Sequence, residues 1–289
     1  MRLLHLQPMA WKDGWPIIGE GKKNDTVGAP VADFSKPDLP SSGAFHPSES
    51  DEFDSTSLGL QWQWPAVPSP YWYYCNAGEG NLRLYSADQA EDWKNLWDTP
   101  NLLMQKFPAG DFTITTKLTF TPNPQLAQKG ENCGLVIMGE SYATLRLTDT
   151  PEGIMLQMVE CINAHKGSEE RILFEKQIDS DKLPVPFSDR YMSDTVPPVR
   201  PLEYKECVVY MRVEVENTPR KGDVPDAVCT FSYSLNGKIW HKIDVSGTEY
   251  KFKARPGRWI GAKAGLYCNR FHSKNDSGWM EADWFRISR

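Results

Sequence analysis

No apolar run in this chain approaches the ~20 residues that a membrane-crossing helix needs, so helical membrane proteins are set aside and no membrane partner is expected. The first residues, MRLLHLQPMAWKDGW, lack the apolar core and small-residue cleavage site of a secretory leader. Basic charge is not in excess: 32 Lys and Arg face 38 Asp and Glu, for a net charge of −6. A nucleic-acid partner would need a basic face, so none is expected. Histidine is scarce, with five scattered copies, no HExxH and no other zinc-ligand spacing. The six cysteines, at 75, 133, 161, 207, 229 and 268, form no CxxC and no close pair. Cys133, Cys229 and Cys268 fall in apolar strand patterns and read as buried thiols acting as small hydrophobes. Disulfides remain the alternative, with a connectivity that spacing alone does not give.

Helical periodicity is nearly absent as well, and strand signals fill its place. Phe112, Ile114, Leu118 and Phe120 alternate with Thr113, Thr115, Lys117 and Thr119, the period of a strand with one buried face. Residues 134–138 are almost all apolar, and Ala143, Leu145 and Leu147 alternate again. Pro-Asn-Pro, Lys-Gly and Met-Gly-Glu punctuate these runs. The pattern predicts three consecutive antiparallel strands. Further strands are predicted over 152–178, 207–216, 227–243, 259–268 and 280–287, and Asn236-Gly237 carries a tight hairpin signal. Trp93 and Trp97 predict one short helix or turn. The Pro-rich stretch 180–203 predicts a long surface loop. About a dozen strands and almost no helix predict an all-β, jelly-roll β-sandwich of two antiparallel sheets.

The division expected is threefold. Residues 1–19 are too short to fold alone and look like the last strand of something larger. Residues 20–50, with Pro30, Pro37, Pro40 and Pro47 and no periodicity, read as a linker laid over the surface. The sandwich occupies 51–289.

Aromatics make up 12% of the chain, with eleven tryptophans, and 51–85 holds their densest cluster. Leu58, Leu60, Trp62 and Trp64 alternate, which puts them on one face of a strand. Pro65, Pro68 and Pro70 then force an irregular loop ending in Tyr71-Trp72-Tyr73-Tyr74. Flat apolar rings with one polar handle suit a sugar surface, and they equally plug the end of a core. Both readings stay open for Trp62, Trp64 and Trp72. A structural calcium is weighed on the same terms: Asp51 or Asp54 near the start and Asp283 near the end would meet if first and last strands pair. The alternative is plain surface carboxylates, and no cofactor is otherwise required.

Five segments, in order, carry a resemblance. They are LHLQPMAWKDGWPIIG at 4–19, DEFDSTSLGLQWQW at 51–64, NLWDTPNLLMQKFPA at 95–109, CGLVIMGESYATLRL at 133–147, and WIGAKAGLYC with ADWFRIS at 259–268 and 282–288. Together they resemble glycoside hydrolase family 43, in particular the concanavalin-A-like C-terminal sandwich of its β-xylosidases and α-L-arabinofuranosidases. The resemblance implies a carbohydrate function on xylan- or arabinan-type plant polysaccharide. It also implies a five-bladed catalytic propeller as partner, in the same chain or another, of which 1–19 would be the closing segment. A periplasmic or extracellular location is implied if the chain belongs to a longer secreted enzyme. The family's general-base Asp, orienting Asp and general-acid Glu have no matching motif here, so no catalytic residue is expected. Inverting glycosidases need two carboxylates flanking the sugar, and the chain alone is expected to be inactive. In the family an aromatic on an early sandwich strand closes the propeller pocket, and by order it resembles Trp62. The family's following Asn-Thr-Leu-Arg is replaced by Gln63-Trp64-Pro65-Ala66, which leaves Trp64 or Trp72 as candidates too. A free carbohydrate-binding module stacking xylan or arabinan on residues 62–74 is the alternative function. A third is an enzyme using paired strand carboxylates, for which Glu214 and Glu216 are the nearest approach to the pattern.

Overall fold

The structure, a computed structural model, describes residues 6–21, 27–35, 48–90, 92–124, 130–178, 181–183, 204–220, 223–255, 261–270 and 278–289. The chain divides into two compact units, Met1–His46 and Pro47–Arg289. In the first, strands β1 (Met9–Lys12) and β2 (Trp15–Ile18) pair antiparallel across Asp13-Gly14. Asp13 and Gly14 have φ of 52° and 77°, the left-handed pair that a two-residue hairpin matching strand twist requires. The single strand expected from the sequence is thus a hairpin. Its Trp11 and Trp15 side chains are exposed.

The second unit begins with short strands β3 (Tyr73–Asn76), β4 (Asn81–Tyr85), β5 (Ala87–Asp88) and β6 (Leu103–Lys106). Longer strands come after them: β7 (Phe112–Thr121), β8 (Asn132–Met138), β9 (Tyr142–Thr150), β10 (Gly153–Cys161) and β11 (Arg171–Ile178). Next are β12 (Asp181–Leu183), β13 (Tyr204–Arg220), β14 (Asp223–Ser234), β15 (His241–Lys242), β16 (Asp244–Val245), β17 (Thr248–Glu249) and β18 (Lys251–Ala254). Strands β19 (Lys263–Arg270) and β20 (Trp279–Ser288) close the chain. One sheet runs β11-β10-β9-β8-β19-β5, with β6 also on β19; the other runs β15-β14-β13-β7-β20-β4-β3, with β12 and β18 attached. Nearly all neighbours are antiparallel, which gives the expected all-β, concanavalin-A-like sandwich.

The alternating positions explain the core. Ile114, Leu118 and Phe120 of β7 and Val209, Met211 and Val213 of β13 are buried, as are Leu135, Leu145 and Leu156 of the other sheet, in one continuous cluster. Phe112–Thr121 and its two successors do not form one meander, however. Strand β8 pairs β9, while β7 lies in the opposite sheet between β13 and β20. Apolar periodicity identifies a buried face and is silent on which sheet owns it.

Other local expectations meet mixed outcomes. Residues 96–98 form one turn of 3₁₀ helix, capped by Asn95, whose side chain accepts from Trp97 N. Asn236-Gly237 is not a two-residue hairpin turn. The β14–β15 ladder ends at Tyr233 and His241, leaving 234–240 as a longer loop. Within the expected loop over 180–203, Asp181–Leu183 form β12, and 180 and 184–203 lie outside the described residues, as do 22–26 and 36–47 of the expected linker and 259–260 of the expected strand over 259–268. Cys133, Cys161, Cys207, Cys229 and Cys268 are buried free thiols, and Cys75 is half-buried. Burial pushes the Cys229 thiol up to about 12, which leaves it protonated and inert near neutral pH.

Candidate functional site

The segment 51–74 begins by locking itself to the last strand. Asp51 and Phe285 exchange two backbone hydrogen bonds of 2.8 Å. The Asp51 carboxylate then organises the chain just beyond it: Oδ1 accepts from Phe53 N at 2.9 Å, and Oδ2 accepts from Trp62 Nε1 at 2.7 Å and from Gln61 Nε2 at 3.1 Å. Phe53 is held at φ 52°, a conformation that is strained for a bulky residue. Its ring stacks on Trp62 at 5.9 Å, and Phe285 meets the same indole edge-on at 5.1 Å.

Trp62 is therefore a core residue, 8% exposed. Of the two readings open for Trp62, this burial favours the core plug over a sugar contact. The continuous strand Leu58–Trp64 is corrected. Trp62 N bonds back to Gly59 O, and this turn breaks the period, so Leu60 points out at 87% exposure while Trp62 points in. Extended backbone resumes only at Gln63, bridged to Met104.

Trp64 and Trp72 take a different position. Both are half-buried. Trp64 lies 5.8 Å from the Trp72 ring and 5.3 Å from Tyr73, packed on the rim of the core. Around them the Pro65–Pro70 loop leaves Val67 and Tyr71 exposed, Tyr71 at 83%, with Tyr74 also exposed. Hydrogen bonds from Trp72 N to Ser69 O and from Tyr85 N to Trp72 O fix the end of the loop to the sheet. Leu60, Val67, Tyr71 and Tyr74 thus present exposed apolar side chains along the segment that carries the Trp64–Trp72 pair. Such side chains suit the flat apolar face of a sugar or a partner protein.

Asp283 is held by Lys117 Nζ at 2.5 Å, and this contact raises the lysine pKa. Asp54 is exposed, and Asp51 is engaged as described. Among the described residues no three His, Cys, Asp or Glu side chains come together as a metal site would require. Glu214 and Glu216 are exposed on β13. The sequence reading missed the role of Asp51; its signal was the Asp-x-Phe spacing, in which an Asp side chain accepts from the backbone two residues on.

Comparisons with known proteins agree with the fold. Residues 50–288 match the family model of the β-xylosidase C-terminal concanavalin A-like domain. A β-xylosidase of Formosa agariphila is 24% identical over 280 residues, covering 97% of this chain and 41% of that protein. A xylan 1,3-β-xylosidase of a Vibrio species is 26% identical over 274 residues, covering 91% of this chain and 41% of that protein. Among solved structures, a xylan β-1,4-xylosidase from Bacillus halodurans superposes with a TM-score of 0.59 at 19% identity, covering 98% of this chain and 46% of that one. A GH43 protein from Bacillus licheniformis gives 0.57 at 21%, covering 97% and 46%. At such identities the structural likeness shows the fold alone. The chain spans less than half the length of each of these relatives. With the family model matched over 50–288, this chain belongs to the family of β-xylosidase C-terminal concanavalin A-like domains.

Proposed function

We propose that this sandwich is the accessory C-terminal domain of a family 43 glycosidase acting on xylan- or arabinan-type polysaccharide, and that it shapes the substrate pocket of a catalytic propeller. The observation that carries the reading is the exposed apolar loop at 60–74, stiffened by three prolines and backed by Trp64 and Trp72. Several exposed large apolar side chains within one short segment suit an interaction site. A rigid aromatic edge beside a sugar pocket would exclude water and orient the terminal pentose. Trp72 and Trp64 take the role that motif order suggested for Trp62. The exposed Trp11 and Trp15 of the N-terminal hairpin fit the closing segment of a propeller blade, which further strands would cover.

No acid/base pair is recognisable among the described carboxylates, so the 289-residue chain alone is expected not to turn over aryl β-xylosides or α-L-arabinofuranosides. The test of the role itself is hydroxyl-radical footprinting with and without a family 43 catalytic domain joined to the chain. Protection of Tyr71 and Trp72 in the joined protein is expected. Unchanged labelling there would remove the loop from the interface.

A further inference from the structure

Strand register writes two rows of side chains across the outer face of the larger sheet. Tyr210 lies beside Lys117, and Lys117 beside Trp284; in the next row Arg212 lies beside Thr115, and Thr115 beside Arg286. Ser234 and Ser232 of β14 extend the rows past Tyr210 and Arg212. Met211 and Val213, which alternate with these residues on β13, are buried in the core, so the rows point away from it.

The loop 234–240 folds back onto this face. Asn236 Oδ1 accepts from Lys238 N and Ile239 N at 2.9 Å each, which tightens the turn. Gly237 sits at φ 70°, and a Cβ there would come within 3.0 Å of the Tyr210 ring, so only glycine fits without strain. The loop delivers Trp240 onto Arg212, with the guanidinium carbon 3.7 Å from the ring centroid. On β20, Arg286 covers Trp284 at 4.4 Å, and the Tyr210 and Trp284 rings stand 6.4 Å apart.

The three cations of these rows are not equivalent. Arg286 is matched by Glu52 through two hydrogen bonds of 2.7 Å, and Lys117 by Asp283. Arg212 forms no ion pair with any described residue, and its buried Nε has no hydrogen-bond partner among them. A buried donor left without an acceptor is costly, and stacking on Trp240 orients the guanidinium fork without satisfying it. One unmatched planar cation, next to two aromatic rings and the half-buried Thr115 hydroxyl, has the chemistry of a site for a sugar that carries a carboxylate; the Ser232 and Ser234 hydroxyls are buried and take no part. Alternate residues of a strand lie about 6.6 Å apart, so Tyr210 and Arg212 span a pyranose ring and its carboxylate. A polyanion such as nucleic acid is disfavoured by the net charge of −6, whereas a single uronate matches the one guanidinium that these rows leave without a carboxylate.

We propose that this face binds an acidic oligosaccharide, a pentose chain bearing a uronate, with Tyr210 and Trp284 against the sugar and the Arg212 fork on the carboxylate. The site shares no residue with the 60–74 loop and goes beyond the accessory role, so either reading can fail without the other. The test is calorimetric titration of the full 289-residue chain with a xylo-oligosaccharide bearing one glucuronate, against the unsubstituted oligosaccharide of equal length. The acidic sugar is expected to bind at least about tenfold more tightly, as a charge-assisted hydrogen-bond pair supplies. Arg212→Gln should abolish that preference, and Arg212→Lys, which keeps charge but not the fork, should retain part of it. Circular dichroism confirms that each variant is folded. Equal affinity for the two sugars, no binding of either by the folded chain, or an undiminished preference in folded Arg212→Gln would each overturn the proposal.

Discussion

Trp62 and Trp72 lie ten positions apart in one aromatic-rich stretch, yet the fold uses them in opposite ways. The Trp62 indole is enclosed by Phe53 and Phe285, and its one polar atom is satisfied by Asp51. The Trp72 ring rests half-covered on Trp64 at the base of a loop whose other apolar side chains face solvent. The difference is made by the backbone on either side. Before Trp62 the chain is pinned to β20 and turned at Gly59; after Trp64 the prolines keep it off any sheet until β3. An aromatic therefore becomes core where neighbouring backbone pairs and its polar handle finds an acceptor. It becomes surface where prolines forbid pairing.

The largest effect that can break this comparison is at Trp62. Replacement by alanine would empty a site walled by two aromatic rings, and Trp62→Ala is expected to cost about 3–5 kcal/mol of folding stability. Urea unfolding of the isolated chain measures it, and a loss below about 1 kcal/mol would return Trp62 to the surface class. Asp51→Ala comes next. It strips the acceptor from Trp62 Nε1 and from Phe53 N, and an expected loss of about 1–3 kcal/mol reflects those donors left without a partner. Asp51→Asn retains an acceptor oxygen and should lose less; a larger loss for Asn than for Ala would mean that the hydrogen bonds are not the cause. The smallest effect is at Tyr71, exposed on the loop, where Tyr71→Ser should stay within about 0.5 kcal/mol of the parent. A larger destabilisation would show that the loop is packed and not presented.

How much of this is legible in the sequence depends on the physics of each element. The ten-residue alternation of β7 reveals a strand and its buried face directly, because side-chain direction has period two. Its sheet is not legible, since β7 pairs with β13 and β20 from distant parts of the chain. The aromatic loop is visible from Pro65, Pro68 and Pro70. The inward turn of Trp62 is not, because the apparent alternation from Leu58 to Trp64 is interrupted by a single turn at Gly59. Asp51 carries the residue type of a calcium ligand but serves the backbone and an indole, a role that depends on Phe285 far along the sequence. The Arg212–Trp240 contact needs the 234–240 loop geometry, for which Asn236-Gly237 marks the place but not the path.

The proposed functional edge is the 60–74 loop, whereas Trp62 lies in the core. The most direct measurement is kcat/KM on an aryl β-xyloside, together with the unfolding midpoint, in a two-domain protein joining a family 43 catalytic propeller to this sandwich. Trp72→Ala should lower kcat/KM clearly while leaving the midpoint nearly unchanged, whereas Trp62→Ala should lower the midpoint first. Unchanged kcat/KM in folded Trp72→Ala and folded Trp64→Ala alike would contradict the account.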